Sequence, residues 1–291
     1  MCLKPTGGFY RLPIKFSAGE GILLAPPKRQ RINVDLLNQK IIVTGAARGM
    51  GAATVRAYVK AGATVYAMDI ANDAGAQMTE NANKLGPGTA HYMPVDVAER
   101  ESVERAFATA YQQMGGLDVL AHPAAIQRSS DASTVTEQEW DDMFTVNVRG
   151  TMTTNQIAAK HMQTGAGGSI INFGSISGQR AEPSAVAYSA AKGAVHSWTR
   201  SAAASWGQYN IRVNAILPAM ATPMYLEARE RSSAAQNEAA YWLNHHSIAL
   251  GQQYGDPDAD LGPVMVFFAS AASRFITGQL IPVDGGQTNV R

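Results

Sequence analysis

The sequence predicts a single doubly wound α/β domain, with one parallel sheet of about seven strands and helices on both faces. From residue 40 onward, short apolar runs alternate with helix-length segments, as buried parallel strands and their crossover helices do. A glycine-rich turn follows the first of these runs, and no linker divides the remainder. A single sheet of this kind fits a chain of 291 residues.

The predicted elements follow in chain order. The apolar runs predicted as strands are residues 41–44, 64–69, 91–97, 117–121, 169–173, 212–217 and 280–283. The predicted helices between them include residues 52–61, 101–114, 137–160 and 188–208. Gly62 closes the first helix and Gly115 the second, at the position where a left-handed residue ends a helix.

Composition excludes several classes of function. A formal net charge of +1 offers no electrostatic attraction for nucleic acid or an anionic membrane surface. The apolar runs are much shorter than the roughly 20 residues of a membrane helix. The one cysteine, Cys2, allows no internal disulfide or cysteine-based zinc cluster, so the sequence predicts a reducing, cytoplasmic location.

Residues 1–35 are predicted to be an N-terminal extension of a catalytic domain that covers residues 36–291. The extension has no sustained helical or strand period. Pro5, Pro13, Pro26 and Pro27 break any amphipathic helix there, and no apolar core of a secretory signal is present. We interpret it as an arm, an upstream start or an interface tail that is dispensable for the chemistry.

The glycine-rich turn, residues 44–51, predicts a dinucleotide site. It lies between a strand and a helix, where glycines permit a tight turn and a close approach of backbone N–H groups to a pyrophosphate. Metal binding is not predicted for this chain. The loop residues predicted to bind the cofactor are Gly45, Arg48, Gly49, Met50 and Gly51.

Asp69 ends the second predicted strand and favours NAD as the cofactor. A carboxylate there accepts hydrogen bonds from the adenosine ribose and repels a 2′-phosphate. Arg48 argues the other way, because a guanidinium in the glycine loop could pair with that phosphate. Asp96 and Val97, at the end of the third predicted strand, are expected to meet the adenine.

Tyr188 and Lys192 lie four residues apart and are predicted to share one face of a helix. A phenol is a poor base at neutral pH, and a fixed cation nearby is expected to lower its pKa into the working range. Ser175 follows the fifth strand at the carboxyl edge of the sheet, where such folds bind ligands. Ser177 and Ser189 are alternative hydroxyls, interpreted as turn and helix-start residues.

These motifs, in order and spacing, resemble the classical short-chain dehydrogenase/reductases over about residues 38–288. The resemblance rests on Thr-Gly-x-x-x-Gly-x-Gly at residues 44–51, on Asn147, on Ser175 and on Tyr188-x-x-x-Lys192. It implies a Rossmann-like fold and hydride transfer between a nicotinamide cofactor and an alcohol or ketone.

The resemblance also implies a role for each of four residues. Tyr188 exchanges a proton with the substrate oxygen, and Ser175 holds that oxygen by a hydrogen bond. Lys192 binds the nicotinamide ribose and lowers the pKa of Tyr188. Asn147 holds a water that links Lys192 to solvent.

One further segment matches a pattern of this family, and another departs from one. Residues 218–222 resemble Pro-Gly-x-x-x-Thr beside the nicotinamide amide, which makes Pro218 and Thr222 candidate cofactor contacts. Residues 122–125 depart from the common Asn-Asn-Ala-Gly and read His-Pro-Ala-Ala. We interpret His122 as a strand-end residue that stabilises the sheet, with a second acid/base as the alternative.

A substrate lobe is predicted at about residues 220–255. Ser177, Met220, Tyr225 and Trp242 are the candidate substrate contacts, and the alternative is that the lobe's apolar residues only pack it onto the body. Their aromatic and thioether character favours an uncharged, apolar or cyclic substrate. His245 and His246 lack further ligands at metal-binding spacing.

The leading hypothesis is an NAD-dependent dehydrogenase of secondary alcohols. One alternative is an NADP-dependent carbonyl or 3-oxoacyl-carrier reductase on the same fold, and another is a dinucleotide sensor without turnover. The predicted partner is a small-molecule substrate, with neither nucleic acid nor membrane. The predicted helices 137–160 and 188–208 carry apolar residues on more than the face that packs on the sheet. In the family that this sequence resembles, these two helices form subunit contacts. We therefore expect a homo-oligomer with two-fold symmetry, in the form of a tetramer.

Overall fold

A computed structural model describes residues 35–288 and contains one parallel sheet of seven strands there, as the sequence predicts. Apart from Asp35, the predicted extension lies outside the described residues. In chain order the strands are β1 (Lys40–Thr44), β2 (Thr64–Asp69), β3 (Thr89–Pro94), β4 (Val119–His122), β5 (Gly168–Phe173), β6 (Ile211–Pro218) and β7 (Leu280–Val283). Their spatial order is β3-β2-β1-β4-β5-β6-β7.

Helices cover both faces of this sheet. Along residues 35–288 they are α1 (Gly49–Lys60), α2 (Asn72–Ala82), α3 (Arg100–Met114), α4 (Glu137–Phe144), α5 (Gly150–Met162), α6 (Val186–Trp206), α7 (Pro223–Arg231), α8 (Ala234–Ala240) and α9 (Gly262–Ala269). None of these described helices has the length and apolar character needed to cross a membrane.

The sheet separates two apolar layers. Alternate residues of one strand point into different layers: Ile41 packs with Val55 of α1, and Ile42 packs with Phe107 of α3. Since both faces of the central strands are covered, these strands are continuous apolar runs rather than alternating ones. This explains why the sequence displays them so clearly.

The strand order of the sheet reverses between β1 and β4. The chain runs outward from β1 to β2 and β3, and then returns to place β4 on the other side of β1. Ligands of open α/β sheets bind in the crevice at the carboxyl ends of the strands, at such a switch point. The glycine turn after β1 and the residues after β4 and β5 all lie at that edge.

Two predicted elements are wrong in ways that affect the site, and most other predicted boundaries shift by one to three residues. The third strand ends at Pro94, not at Val97, because β2 ends at Asp69 and offers no partner beyond the Asp69–Pro94 register. Asp96 therefore lies with Val97 in the following loop. The predicted helix 137–160 is two α-helices joined by a π turn, Thr145–Arg149, which has one residue more per turn than an α-helix.

Candidate active site

The glycine loop after β1 forms an open backbone cradle. Gly45 and Gly49 have φ of +58° and +55°, a region that favours glycine. A Cβ on Gly45 would lie 2.6 Å from Cα of Ala124, and a Cβ on Gly51 would collide with the Gly45 carbonyl oxygen. Because no side chain caps the start of α1, its first N–H groups remain available to an anion. The loop therefore fits a dinucleotide pyrophosphate.

Asp69 connects the end of β2 to this loop. Its Oδ2 accepts a hydrogen bond of 2.9 Å from the Ala47 N–H, and its Oδ1 accepts one of 2.9 Å from the Ala71 N–H. These bonds fix the carboxylate beside the glycine loop. Arg48 is exposed at the N-cap of α1, so both predicted determinants of cofactor choice flank the same turn.

The predicted adenine contacts occupy the loop after β3. Asp96 Oδ1 accepts a hydrogen bond of 2.9 Å from the Ala98 N–H, and Val97 is buried against Gly150 of α5. A cavity of about 550 Å³ opens beside them, and its lining includes Ile70 and Asp96. The lining combines apolar side chains such as Val95 with polar ones that include Arg105.

Ser175 and Tyr188 come together where the loop after β5 meets α6. Ser175 begins a short 3-10 turn, Ile176–Gly178, and its Oγ accepts a hydrogen bond of 3.2 Å from the Ser177 N–H. A hydrogen bond with Ser175 also favours the ionised form of Tyr188 and so lowers its pKa. The predicted alternative hydroxyl, Ser177, thus contributes its backbone to the orientation of Ser175.

Lys192 lies under this pair. Its Nζ donates a hydrogen bond of 2.8 Å to the Phe173 carbonyl and stands 5.5 Å from the centroid of the Tyr188 ring. Burial lowers the pKa of Lys192 to about 8, so the ammonium form still predominates at neutral pH. The lysine supplies a fixed positive charge within the site.

The expected lowering of the Tyr188 pKa is wrong for this structure. Burial raises that pKa above its ordinary value, and the hydrogen bond with Ser175 lowers it only in part. The ammonium of Lys192 is directed at the Phe173 carbonyl rather than at the phenol oxygen. Tyr188 is therefore held as a neutral phenol, which suits proton donation.

Asn147 lies in the π turn between α4 and α5. Its Oδ1 accepts a hydrogen bond of 2.9 Å from the Ile126 N–H, and its Nδ2 donates one of 2.8 Å to the Ile126 carbonyl. The buried amide thus ties the helix to the loop after β4. Its main-chain carbonyl accepts a bond of 2.7 Å from the Thr151 hydroxyl.

His122, at the end of β4, joins two strands. Its Nδ1 lies 2.7 Å from the Thr44 hydroxyl oxygen, and the side chain is 2% exposed. Burial, with Lys192 as the second cause, lowers the pKa of His122 to about 3. A neutral, enclosed imidazole favours the interpretation as a sheet-stabilising residue over a second acid/base.

The residues after β6 border the glycine loop. Pro218 ends the strand, and the Thr222 hydroxyl accepts the Tyr225 N–H at 3.4 Å as the N-cap of α7. A Cβ on Gly49 would lie 3.7 Å from the Thr222 methyl, so these predicted cofactor contacts converge. Met220 is buried in the apolar core.

The substrate lobe places its aromatic residues differently. The Tyr225 hydroxyl lies 2.5 Å from His245 Nε2, and its ring packs edge-on against Tyr254 with centroids 4.9 Å apart. Trp242 is 60% exposed and packs edge-on against Tyr241. Within residues 35–288, His, Cys, Asp and Glu form no group of three or more that could hold a metal.

Sequence reasoning missed two residues of this region. His196 contacts the backbone of Ser175, and its position one helical turn after Lys192 was a signal that could have identified it. Tyr254, in the part of the predicted lobe that follows α7 and α8, packs against Tyr225 and His245, and the sequence carries no signal for those contacts.

Comparisons with known proteins agree over most of the chain. A sequence model for the family described as enoyl-(acyl carrier protein) reductase matches residues 45–288. The chain is 32% identical over 246 residues to the 3-oxoacyl-[acyl-carrier-protein] reductase FabG of Thermotoga maritima, an alignment covering 84% of this chain and 96% of that protein.

A dehydrogenase is just as similar. The chain is 32% identical over 249 residues to the galactitol 2-dehydrogenase (L-tagatose-forming) of Cereibacter sphaeroides, which covers 84% of this chain and 93% of that protein. The structure of a short-chain type dehydrogenase/reductase from Mycobacterium ulcerans superposes with a TM-score of 0.82 at 28% identity, covering 88% of this chain and 92% of that one.

Proposed function

Because the chain belongs to the short-chain dehydrogenase/reductase family, we propose that it oxidises an apolar or cyclic secondary alcohol to its ketone with NAD. Family membership makes it a nicotinamide-dependent oxidoreductase of alcohols and ketones. The observation that carries the proposed chemistry is the pairing of Ser175 with Tyr188 above the buried ammonium of Lys192. These three groups form an oxygen clamp, a proton carrier and a cation at one point.

The substrate oxygen binds between the hydroxyls of Ser175 and Tyr188. In reduction, the neutral Tyr188 phenol donates its proton to the ketone oxygen; in oxidation, Tyr188 first releases that proton to solvent and then accepts the alcohol proton as phenolate. A bound nicotinamide cofactor supplies the acceptor or donor of the hydride exchanged with the substrate carbon. Although its ammonium binds the Phe173 carbonyl, Lys192 keeps a positive charge 5.5 Å from the centroid of the Tyr188 ring, and this charge favours the phenolate once it forms.

The preference for NAD is proposed on the position of Asp69. Its carboxylate is held beside the glycine loop by the Ala47 and Ala71 N–H groups, where a 2′-phosphate would meet like charge. We expect a higher specificity constant with NAD than with NADP. Asp69→Ala should reduce the ratio of the specificity constants for NAD and NADP. Arg48→Ala is the matched control on the same turn, and it should lower the specificity constant with NADP further. A wild-type preference for NADP would refute this assignment.

A second candidate is an NADP-dependent reductase of a carbonyl or a 3-oxoacyl-carrier substrate. Two observations favour it: the exposed guanidinium of Arg48 at the start of α1, and the raised pKa of Tyr188, which keeps a proton ready for a ketone. The equal similarity to a carrier-ketone reductase and a sugar-alcohol dehydrogenase gives neither substrate class an advantage.

The experiment is a substrate panel read by the absorbance of the reduced nicotinamide. Cyclic and aryl secondary alcohols with NAD form one arm, and ketones, including a carrier-bound 3-oxoacyl thioester, with NADPH form the other. Turnover confined to the first arm supports the proposal, and faster turnover in the second establishes the reductase. Cofactor binding without turnover in either arm would indicate a dinucleotide sensor.

We further propose that the enzyme is a cytoplasmic homotetramer. Supporting the assembly, Trp140 of α4 stacks on Phe144 with centroids 4.6 Å apart while remaining 41% exposed, an aromatic surface suited to a second copy. Light scattering that gives the mass of a monomer at working concentration would refute the tetramer, and cell fractionation tests the compartment.

A further inference from the structure

His196 is enclosed by the loop that carries Ser175. It lies on α6 one helical turn after Lys192, is 2% exposed, and has its imidazole turned toward residues 174–178. The chemistry proposed above gives this histidine no proton to carry. Its environment nevertheless consists of the segment whose position decides where the Ser175 hydroxyl stands.

The imidazole contacts both ends of that loop. His196 Nε2 accepts a hydrogen bond of 3.3 Å from the Ser175 N–H. Burial lowers the pKa of His196 to about 4, and a hydrogen bond with the backbone of Gly178 opposes that shift only in part. A neutral imidazole accepts at Nε2 only when Nδ1 carries the proton, so the bond from the Ser175 N–H selects one tautomer.

The loop approaches the ring so closely that two of its positions must be glycine. A Cβ on Gly174 would lie 2.5 Å from His196 Nε2, and a Cβ on Gly178 would lie 2.7 Å from its Cε1. Real Cβ atoms do not come so near, so either substitution would displace the imidazole or the loop. The backbone at both ends of the Ser175 turn thus fits around the ring.

We propose that His196 is a positioning residue that sets the orientation of Ser175 by binding both ends of its turn. The ring bridges from the rigid α6, which also carries Tyr188 and Lys192, to the loop after β5. This fixes the Ser175 hydroxyl relative to the phenol across two separate elements. The inference rests on the proposed role of Ser175 in holding the substrate oxygen.

The competing explanation is that His196 only fills space. His196→Leu distinguishes the two, because leucine keeps an apolar volume but can neither accept from Ser175 nor donate to Gly178. His196→Gln retains both kinds of hydrogen-bonding group on an unbranched side chain. His196→Met is a second apolar variant for use if leucine prevents folding, which thermal unfolding of each protein reports.

Ser201→Ala is the control on the same helix. It removes an exposed hydroxyl of α6, five residues after His196. The control variant should leave turnover and loop dynamics as they are in the wild-type protein.

Two measurements test the proposal. We expect His196→Leu or His196→Met to lower kcat about tenfold, with little change in the KM for the cofactor, and His196→Gln to restore most of the loss. Amide hydrogen exchange of residues 174–178 should accelerate in the apolar variants and return toward the wild-type rate in the glutamine variant. Equal kcat values in the leucine and glutamine variants would overturn the proposal.

Hydrogen exchange separates this inference from the proposed function. It needs no substrate, so it reports on the loop even if the wild-type protein proves to have no turnover. Unchanged exchange at residues 174–178 in a folded apolar variant overturns the positioning role. An absence of wild-type turnover, together with faster exchange in that variant, overturns the proposed function alone.

Discussion

Two regions that face the proposed substrate are built in opposite ways. The catalytic wall, residues 173–196, buries two polar side chains and connects both to backbone: Lys192 to the Phe173 carbonyl and His196 to the Ser175 N–H. The helical part of the substrate lobe, residues 223–246, leaves large apolar side chains such as Met224 and Trp242 exposed. The wall is therefore specified by enclosed hydrogen bonds, which fix atoms closely, whereas the lobe keeps freedom to adapt to a ligand.

The largest effect is expected at the wall. Tyr188→Phe should lower kcat by at least ~10²-fold, because it removes the group that exchanges the proton. Cofactor affinity measured by calorimetry should be retained. Tyr225→Phe, the matched loss of a hydroxyl in the lobe, should reduce kcat far less. Comparable losses in the two variants would erase the distinction between wall and lobe.

Acid should lower the free energy of unfolding through His122. The pKa of His122 is about 3 in the folded protein and about 6.5 when unfolded, so protons bind preferentially to the unfolded chain as pH falls between these values. The stability that depends on this neutral imidazole should be fully present above pH ~6.5. Below that pH, this contribution to the free energy of unfolding should decline by at most about 1.4 kcal/mol per pH unit.

His122→Asn tests this acid sensitivity. Asparagine can still bind the Thr44 hydroxyl but does not titrate, so the fall in unfolding free energy on acidification should become shallower. Trp242→Ala in the lobe is the control and should leave the pH dependence unchanged. An unaltered slope in His122→Asn would show that other groups govern the acid sensitivity.

Within the lobe, Tyr225→Phe should have a moderate effect. It removes the hydrogen bond with His245 Nε2 and should cost roughly 1 kcal/mol of local stability. Faster amide exchange across α7 and α8, with unchanged exchange along α6, would confirm that the lobe is an independent unit of stability. Equal acceleration in α6 would show that wall and lobe open together.

The smallest effect on stability is expected for Trp242→Ala. Because the side chain is largely exposed, the free energy of unfolding should change by no more than ~0.5 kcal/mol. The KM of a bulky alcohol should nevertheless rise more than that of a short-chain one. Identical KM changes for both alcohols would mean that Trp242 does not meet the substrate.

Most of the architecture was predictable because strands buried on both faces are runs of consecutive apolar residues. The apolar runs of the central strands predicted the sheet, and β7 has the predicted bounds. Residues 44–51 predicted a glycine cradle because glycine is the residue that tolerates the φ values of Gly45 and Gly49. The wrong end of β3 arose where apolar character continues past Pro94 but its partner strand does not.

The sequence predicted which residues form the candidate site, but it did not predict the direction of the Tyr188 pKa shift. The spacing placed Tyr188 and Lys192 on one face, yet the raised pKa of Tyr188 comes from tertiary burial, which spacing does not contain. The contact of His196 with the Ser175 turn forms only when the loop after β5 folds against α6. A single sequence shows helical phase but not which carbonyl a side chain will meet.

The π turn, Thr145–Arg149, has a consequence for where this helix can lose a residue. The turn holds one residue more than α-helix needs, so deletion of one residue there would restore α-helix and leave α4 and α5 in nearly their present rotational phase. Met143 could stay in the core and Asn155 could keep its partner Asn172, but the turn that directs Asn147 to the loop after β4 would be lost. A deletion within α5 itself would instead rotate every later residue by roughly 100°. Single-residue deletions in the π turn should therefore spare folding far more often than deletions elsewhere in the same helix.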